Sequence, residues 1–481
     1  MGVRGTMRKL LAGAIALLGM LVAPAGAGAV NIGVNTTADE YDEGASCSLR
    51  EAITAAQTNA AFGGCPAGFG SDTITLPDGT YKITRAGADE DANATGDFDV
   101  TGANDLEIRG APAARVIVDA NGLDRVFDKS GSSTLKFTSL RITGGKLTLI
   151  EDGAGARISA GTGSFEDVTV DGNESAYQGG GITVYSTVQM VNSTVSGNKA
   201  DGNGGGFYAP GGSSLNVRSS TIYGNVADAD KDGNGYGGGF AETAALSVNF
   251  TNVLNSNNTG TSPTPPDRAD DCYSGPFFFP RYTLQRQPLG PSNCLVGFAS
   301  PTNIQADDTG VDPVLRYNGG TTPTHALLAN SPGIGKGGAT PPDECPGVDQ
   351  DGYGRPAGSC DIGAVQFKPE PQLLITKVLP KKKVIRRKKA RAFTSLVQNV
   401  GTGPATGVKV CLALNKAAKR GLKRRGKICR NVGAIGVGSV KRVKIKLAAK
   451  PKAKKRAYPV RTRVTGTNFK ALARKFKVRV K

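Results

Sequence analysis

The sequence predicts an all-β chain: a stacked solenoid followed by a separate β-sandwich. Three observations carry this. The first is an unevenly spaced repeat of apolar, polar, apolar runs that close on small polar corners, over 137–144, 165–173, 190–198, 217–225 and 248–257. With Ile142, Val170, Val195, Ile222 and Val253 as markers, the steps are 28, 25, 27 and 31 residues. A period in this range with Gly-Asn corners (Gly172-Asn173, Gly197-Asn198, Gly224-Asn225) suggests coils that each bury an apolar face on the next. The second is composition: 67 glycines in 481 residues, no tryptophan and 6% aromatics, a corner-rich profile unlike that of a helical enzyme. The third is the C-terminal stretch. Apolar-polar alternation at 373–378, 392–398, 408–414, 440–447, 458–464 and 476–480 gives about six or seven strands in 111 residues, which fits a sandwich.

In chain order, Arg4, Arg8 and Lys9 precede an apolar run over 10–22, and Ala27-Gly28-Ala29 offers a cleavage site, so residues 1–29 read as a secretory signal. Thirteen apolar residues are too few to span a bilayer, and no second long apolar stretch follows, so no transmembrane span is expected. Residues 30–104 read as a cap and the first coils. Ser48 suits a helix N-cap with Glu51 as its reciprocal partner, and Leu49, Ala52, Ile53 and Ala56 share one face. Exposed strand edges recruit other chains, so this helix is expected to lie across the first coil.

Residues 105–300 hold the repeats. Glycine triplets at 179–181, 204–206 and 237–239 each precede a short apolar strand, where glycine permits positive φ and close approach between stacked corners. Residues 259–300 read as irregular, with Phe277, Phe278 and Phe279 as a plug or side loop, or as a recognition patch. Residues 301–367 complete the acidic part. Pro369-Glu370-Pro371 marks a boundary, and 368–481 is the sandwich.

Eight cysteines fall as four close pairs, Cys47/Cys65, Cys272/Cys294, Cys345/Cys360 and Cys411/Cys429, with separations of 18, 22, 15 and 18. An even count with local pairing favours structural disulfides outside the cell. Each closes a loop worth roughly 3 kcal/mol. The absence of CxxC and the single histidine, His325, speak against zinc.

Charge is divided between the two parts. Residues 371–481 hold 35 Lys and Arg and no Asp or Glu, while the preceding 370 residues hold 24 basic and 40 acidic residues. A module near +35 attracts polyanions: an anionic envelope polymer or polysaccharide, or nucleic acid non-specifically. It lacks a nucleic-acid motif, so sequence readout is not expected. The alternative is a solvated basic face, or one that docks on the acidic part.

Chemistry has few candidates. Asp228, Asp230 and Asp232 have the DxDxDG spacing of a calcium loop, ending at Gly233, but the twelfth position is Gly239 rather than Glu. Calcium is the only cofactor suggested. His325 has no nucleophile motif nearby and reads as a packed or capping residue. Paired carboxylates perform glycosidic acid/base work, yet Asp270-Asp271 and Asp307-Asp308 are doublets outside the regular coils. Asp119, Asp124, Arg125 and Asp128 are close in sequence and could serve a cation-assisted lyase only if they met on one face.

The cap segment, Cys47-Ser48-Leu49-Arg50-Glu51-Ala52, resembles the hallmark of bacterial CSLREA-domain proteins. Residues 94–99 and 122–127 look like other passages of that group. Asn318-Gly319-Gly320, 324–327, Ser331-Pro332, 349–352, Arg355-Pro356 and 360–364 resemble the choice-of-anchor Q region that often closes such chains. The resemblance covers roughly 31–367. It implies a right-handed parallel β-helix, similar in fold to pectate lyases, in an exported protein generally without established chemistry. On it, Asp119, Asp124, Arg125 and Asp128 match a structural passage of that group. Asn399-Val400-Gly401-Thr402-Gly403 gives the tail a likeness to CARDB-type, immunoglobulin-like modules. The expectation is a secreted or cell-surface monomer, non-catalytic, binding glycan or other envelope polymers. The alternative is a polysaccharide lyase or glycosidase, which would require acidic side chains from adjacent coils to converge in one groove.

Overall fold

The structure, a computed structural model, describes residues 29–87, 90–260, 271–274, 277–286, 300–338, 346–356, 358–380 and 382–481. All but the last residue of the expected signal lies outside the described residues. The described residues of 31–306 coil into a parallel β-helix with three long sheets. The first sheet has nine strands, running from Asn31–Gly33 and Asp72–Leu76 to Ser247–Thr251 and Phe278–Arg281. The second also has nine, from Gly79–Lys82 to Ile304–Ala306, and the third has seven, from Phe98–Val100 to Cys272–Tyr273.

The repeat sets the register. Ile142 lies beside Val170, Val170 beside Val195 and Val195 beside Ile222, all four fully buried. In the first sheet Phe137, Phe165, Met190, Val217 and Phe250 form one column. Neighbouring Phe137 and Phe165 rings sit 5.1 Å apart, and Phe127 from the third sheet joins them at 4.6 Å from Phe137. Ring pairs at such distances add to the burial of apolar area that drives stacking.

The fifth passage departs from the expected alignment. Asn255, not Val253, continues the column of Ile222. Val253 carries the apolar signal, but it is buried two positions earlier, in line with Ser220: its backbone oxygen accepts from Leu284 as that of Ser220 accepts from Leu254. The region after 259 also carries a further coil. Phe278–Arg281 pairs with Ser247–Thr251, so Phe278 fills the core while Phe277 and Phe279 face outward, and the triplet is part of a rung rather than a plug or side loop.

The helix Leu49–Thr58 forms as the capping box dictates. The Ser48 hydroxyl accepts from the Glu51 backbone at 3.2 Å, and the Glu51 carboxylate accepts from the Ser48 backbone at 3.0 Å. Leu49, Ala52, Ile53 and Ala56 are buried, and Cys47 is bonded to Cys65. Arg50 is fully buried because Asp39 and the carbonyls of Gly96 and Asp97 take its donors and Phe98 lies under its guanidinium.

After Ile304–Ala306, the last strand of the second sheet, the described parts of 307–367 run back along the outside of that sheet. Gln350 bridges Thr169 and Thr194, Arg355 donates to Asn192 at 3.1 Å, and the Thr221 hydroxyl accepts from the Ala364 backbone at 3.0 Å. The polar outer face of that sheet is thereby satisfied by protein instead of water.

The described residues of 373–480 form two sheets of four and five strands, antiparallel except where Val384–Ile385 pairs in parallel with Leu472–Val480. Phe393, Val410, Leu412, Ile445, Leu447, Val460, Val464 and Val478 face inward as their own core. Cys411 is bonded to Cys429 across neighbouring strands. Among the described residues no helix is long and apolar enough to cross a membrane.

Candidate functional site

Alternation in a strand sends successive side chains to opposite faces. In the sandwich most inward positions are apolar, with Ser395 and Thr462 hydrogen-bonded to each other among them, and most outward ones are basic. Ala457–Thr465 presents Arg461 and Arg463, Leu472–Val480 presents Lys475, Lys477 and Arg479, and Val440–Ala449 presents Arg442, Lys444 and Lys446. Among the described residues no Lys or Arg of 371–481 is buried. The five-stranded sheet places Arg461 directly opposite Lys475. Like charges facing each other across a strand pair destabilise it. The two line a depression of about 410 Å³ with Ala413, Leu414, Asn415, Pro459 and Val460. Its size falls within the range of ligand sites. An anion seated there would relieve the repulsion.

A second cluster lies on the third sheet. Phe98–Val100, Phe127–Lys129 and Ala156–Ile158 stack so that Asp99, Asp128 and Arg157 form one column. Carboxylates from adjacent coils therefore do converge. Arg125 reaches Asp97 at 2.7 Å and Asp128 at 3.5 Å, Arg157 pairs with Asp128, and the Tyr185 hydroxyl donates to Asp152. Burial raises the Asp97 and Asp99 carboxyls above the usual carboxylate range; neighbouring acids add to this, while Arg125 opposes it at Asp97. Burial likewise raises Asp152. Glu90, Asp91, Asp97, Asp124, Arg125, Asp128, Glu151 and Arg157 line a depression of only about 90 Å³. Three of the four residues singled out from sequence meet here. Asp119 does not: it sits on the second sheet near Lys82, at 3.4 Å.

The other candidates are placed as follows. Asp228, Asp230 and Asp232 each bring a carboxylate oxygen within 4.8 Å of the others. Asp228 is buried and accepts from the Gly233 backbone at 2.9 Å, and Asp230 and Asp232 are exposed and accept from the backbones of Asp232 and Asn234. His325 is packed: Nδ1 meets the Asp312 carbonyl oxygen and Nε2 the Ser196 hydroxyl, both at 2.8 Å, and its ring lies 4.4 Å from that of Tyr223. Burial, then Arg316, lowers its pKa to about 4. Cys272 and Cys360 are disulfide-bonded, while Cys294 and Cys345 lie outside the described residues.

Sequence reasoning missed Asp97, Asp99, Asp152 and Arg157. The step of 29 residues from Asp99 to Asp128 and again to Arg157, in the period of the repeat, was the available signal. No family model matches the chain, and it matches none of the curated proteins with which it was compared.

Proposed function

We propose that the chain is an exported surface or matrix protein, in which the β-helix is a stiff presenting rod and the sandwich grips an anionic envelope polymer. The single observation that carries this is the basic module's outward face, with Arg461 opposed to Lys475 and no acidic residue from 371 onward to neutralise it. Same-face residues in a strand are spaced by about 6.8 Å and neighbouring strands by about 4.8 Å. That grid suits a polymer with repeating charges better than one small anion. Disulfides support an oxidising location, and the resemblance of 47–52 to CSLREA proteins points the same way. The test is retention of the full chain on immobilised teichoic acid or polyuronate across a salt series. Binding should fall steeply with salt, and Arg461→Glu with Lys475→Glu should weaken it. Retention indifferent to salt and to both reversals would defeat the proposal.

The converging acids of the third sheet favour a second reading, a polysaccharide lyase or glycosidase. An assay for unsaturated or reducing-end products on uronate polymers decides it. The salt-bridged state of Asp97 and Asp128 and the small depression favour the non-catalytic reading.

A further inference from the structure

The cluster on the third sheet is short of positive charge. Six carboxylates and two guanidinium groups line its depression. One oxygen each from Asp91, Asp99 and Asp128 lie within 4.8 Å of one another. The Asp128 side chain is buried, and its two oxygens are treated differently by the fold. Oδ2 is taken by Arg157 and Arg125. Oδ1 is buried with no hydrogen-bond partner among the described residues. A buried carboxylate oxygen left unpaired costs about 1–3 kcal/mol or more, and native structures rarely leave one without an ion, a water or a donor.

We propose that Asp91, Asp99 and Asp128 hold a calcium ion, with Oδ1 of Asp128 as a ligand. The donor set is all oxygen, as a hard cation requires. The oxygen separations stay within twice a calcium–oxygen distance of about 2.4 Å. The depression of about 90 Å³ leaves room for an ion and a few waters to complete the shell, at about 30 Å³ for each water. Arg125 and Arg157 approach Asp128 from its Oδ2 side and leave Oδ1 for the cation. The fold explains the set: Asp99 and Asp128 are register partners on adjacent coils, so an ion between them pins one coil to the next, and Asp91 ties down the loop that precedes the third sheet's first strand. This site is independent of what the basic module binds.

Calorimetric calcium titration of the full chain tests it. The titration uses a background of Asp230→Ser with Asp232→Ser, which removes the other acidic group. The expected result is one calcium per chain and a melting temperature that rises with calcium. Asp91→Asn, at an exposed position that should not disturb folding, should weaken affinity by at least the tenfold or so that loss of even an outer partner costs a metal site. Asp128→Asn should abolish binding while the circular dichroism of the β-helix persists. No heat at millimolar calcium in the background protein, or an Asp91→Asn variant that binds as tightly as its parent, overturns the proposal.

Discussion

Asn198 donates from Nδ2 to Oδ1 of Asn225 at 2.9 Å, and the same Oδ1 accepts the Asn198 backbone N–H at 3.0 Å. The pattern repeats from Asn173 to Asn198 and from Asn225 to Asn258, and ends where Asn258 donates to Asp271. The expected corner residue Asn257 is therefore not the ladder member; Asn258, 33 residues after Asn225, is. Every rung satisfies a buried backbone donor and an amide at once.

Breaking a middle rung should be costly. Asn198→Ala leaves buried groups unpaired, at about 1–3 kcal/mol each. Asn198→Asp should cost more, because it sets a carboxylate against Oδ1 of Asn225. Urea denaturation of the β-helix should rank wild type above Asn198→Ala and Asn198→Asp last. Equal stability of all three would show that the ladder carries no energy.

Lys129 is fully buried in the third sheet and gives its ammonium to the Gly131 carbonyl. Taking a charge out of water is costly, and replacing a buried ion pair by apolar side chains of similar volume is often neutral or stabilising by about 1–4 kcal/mol. Lys129→Met should therefore unfold at equal or higher urea concentration than wild type, and Lys129→Ala, which opens a cavity, at lower. A midpoint for Lys129→Met well below that of Lys129→Ala would reject the argument.

His325 predicts the acid limb of stability. Its folded pKa of about 4 is below the ordinary 6.5, so the unfolded chain binds the proton more readily between those values. The stabilisation it gives is complete above about pH 6.5 and is lost as pH falls toward 4, by up to about 3 kcal/mol. Arg316 opposes its charged form and the Tyr223 ring lies 4.4 Å from its own. His325→Gln should flatten this part of the pH–stability profile. An unchanged slope would assign the acid limb to other groups.

The loop with Asp228, Asp230 and Asp232 brings its carboxylates together, but two are exposed and the twelfth-position Glu is missing. Calcium held there should be weak, in the 10⁻⁴–10⁻³ M class or so of extracellular modules. Calorimetry on the full chain should show that heat disappear in Asp230→Ser with Asp232→Ser. Binding in the micromolar range by this loop would contradict the reading.

Much of the rod was legible before any coordinates. Ile142, Val170, Val195 and Ile222 are periodic because each coil must repeat its neighbour's buried surface, and the capping box at Ser48 and Glu51 is a local device written in four residues. Alternation in 440–480 announced a sandwich with basic outer faces because that signal has a period of two. The misreadings have one cause. Val253 was chosen for its apolarity, whereas the column continues in Asn255, whose partners are Asp271 and Asn258. Hydrophobic pattern reports burial, but it is silent on which buried column a residue joins.

What the one-dimensional string settles here is everything with a short period or a local cap: the class of fold, the point where acidic gives way to basic, and the start of the capping helix. Only the coiling of the chain decides that Asp99, Asp128 and Arg157 become neighbours, that Gln350 reaches Thr169, and that Arg461 meets Lys475. Those contacts join residues separated along the chain, by up to 181 positions for Gln350 and Thr169, and their partners are chosen by the register of paired strands and stacked coils. Each side chain carries its charge in the sequence, but the field it experiences exists only once neighbouring coils and strands are a few ångströms away.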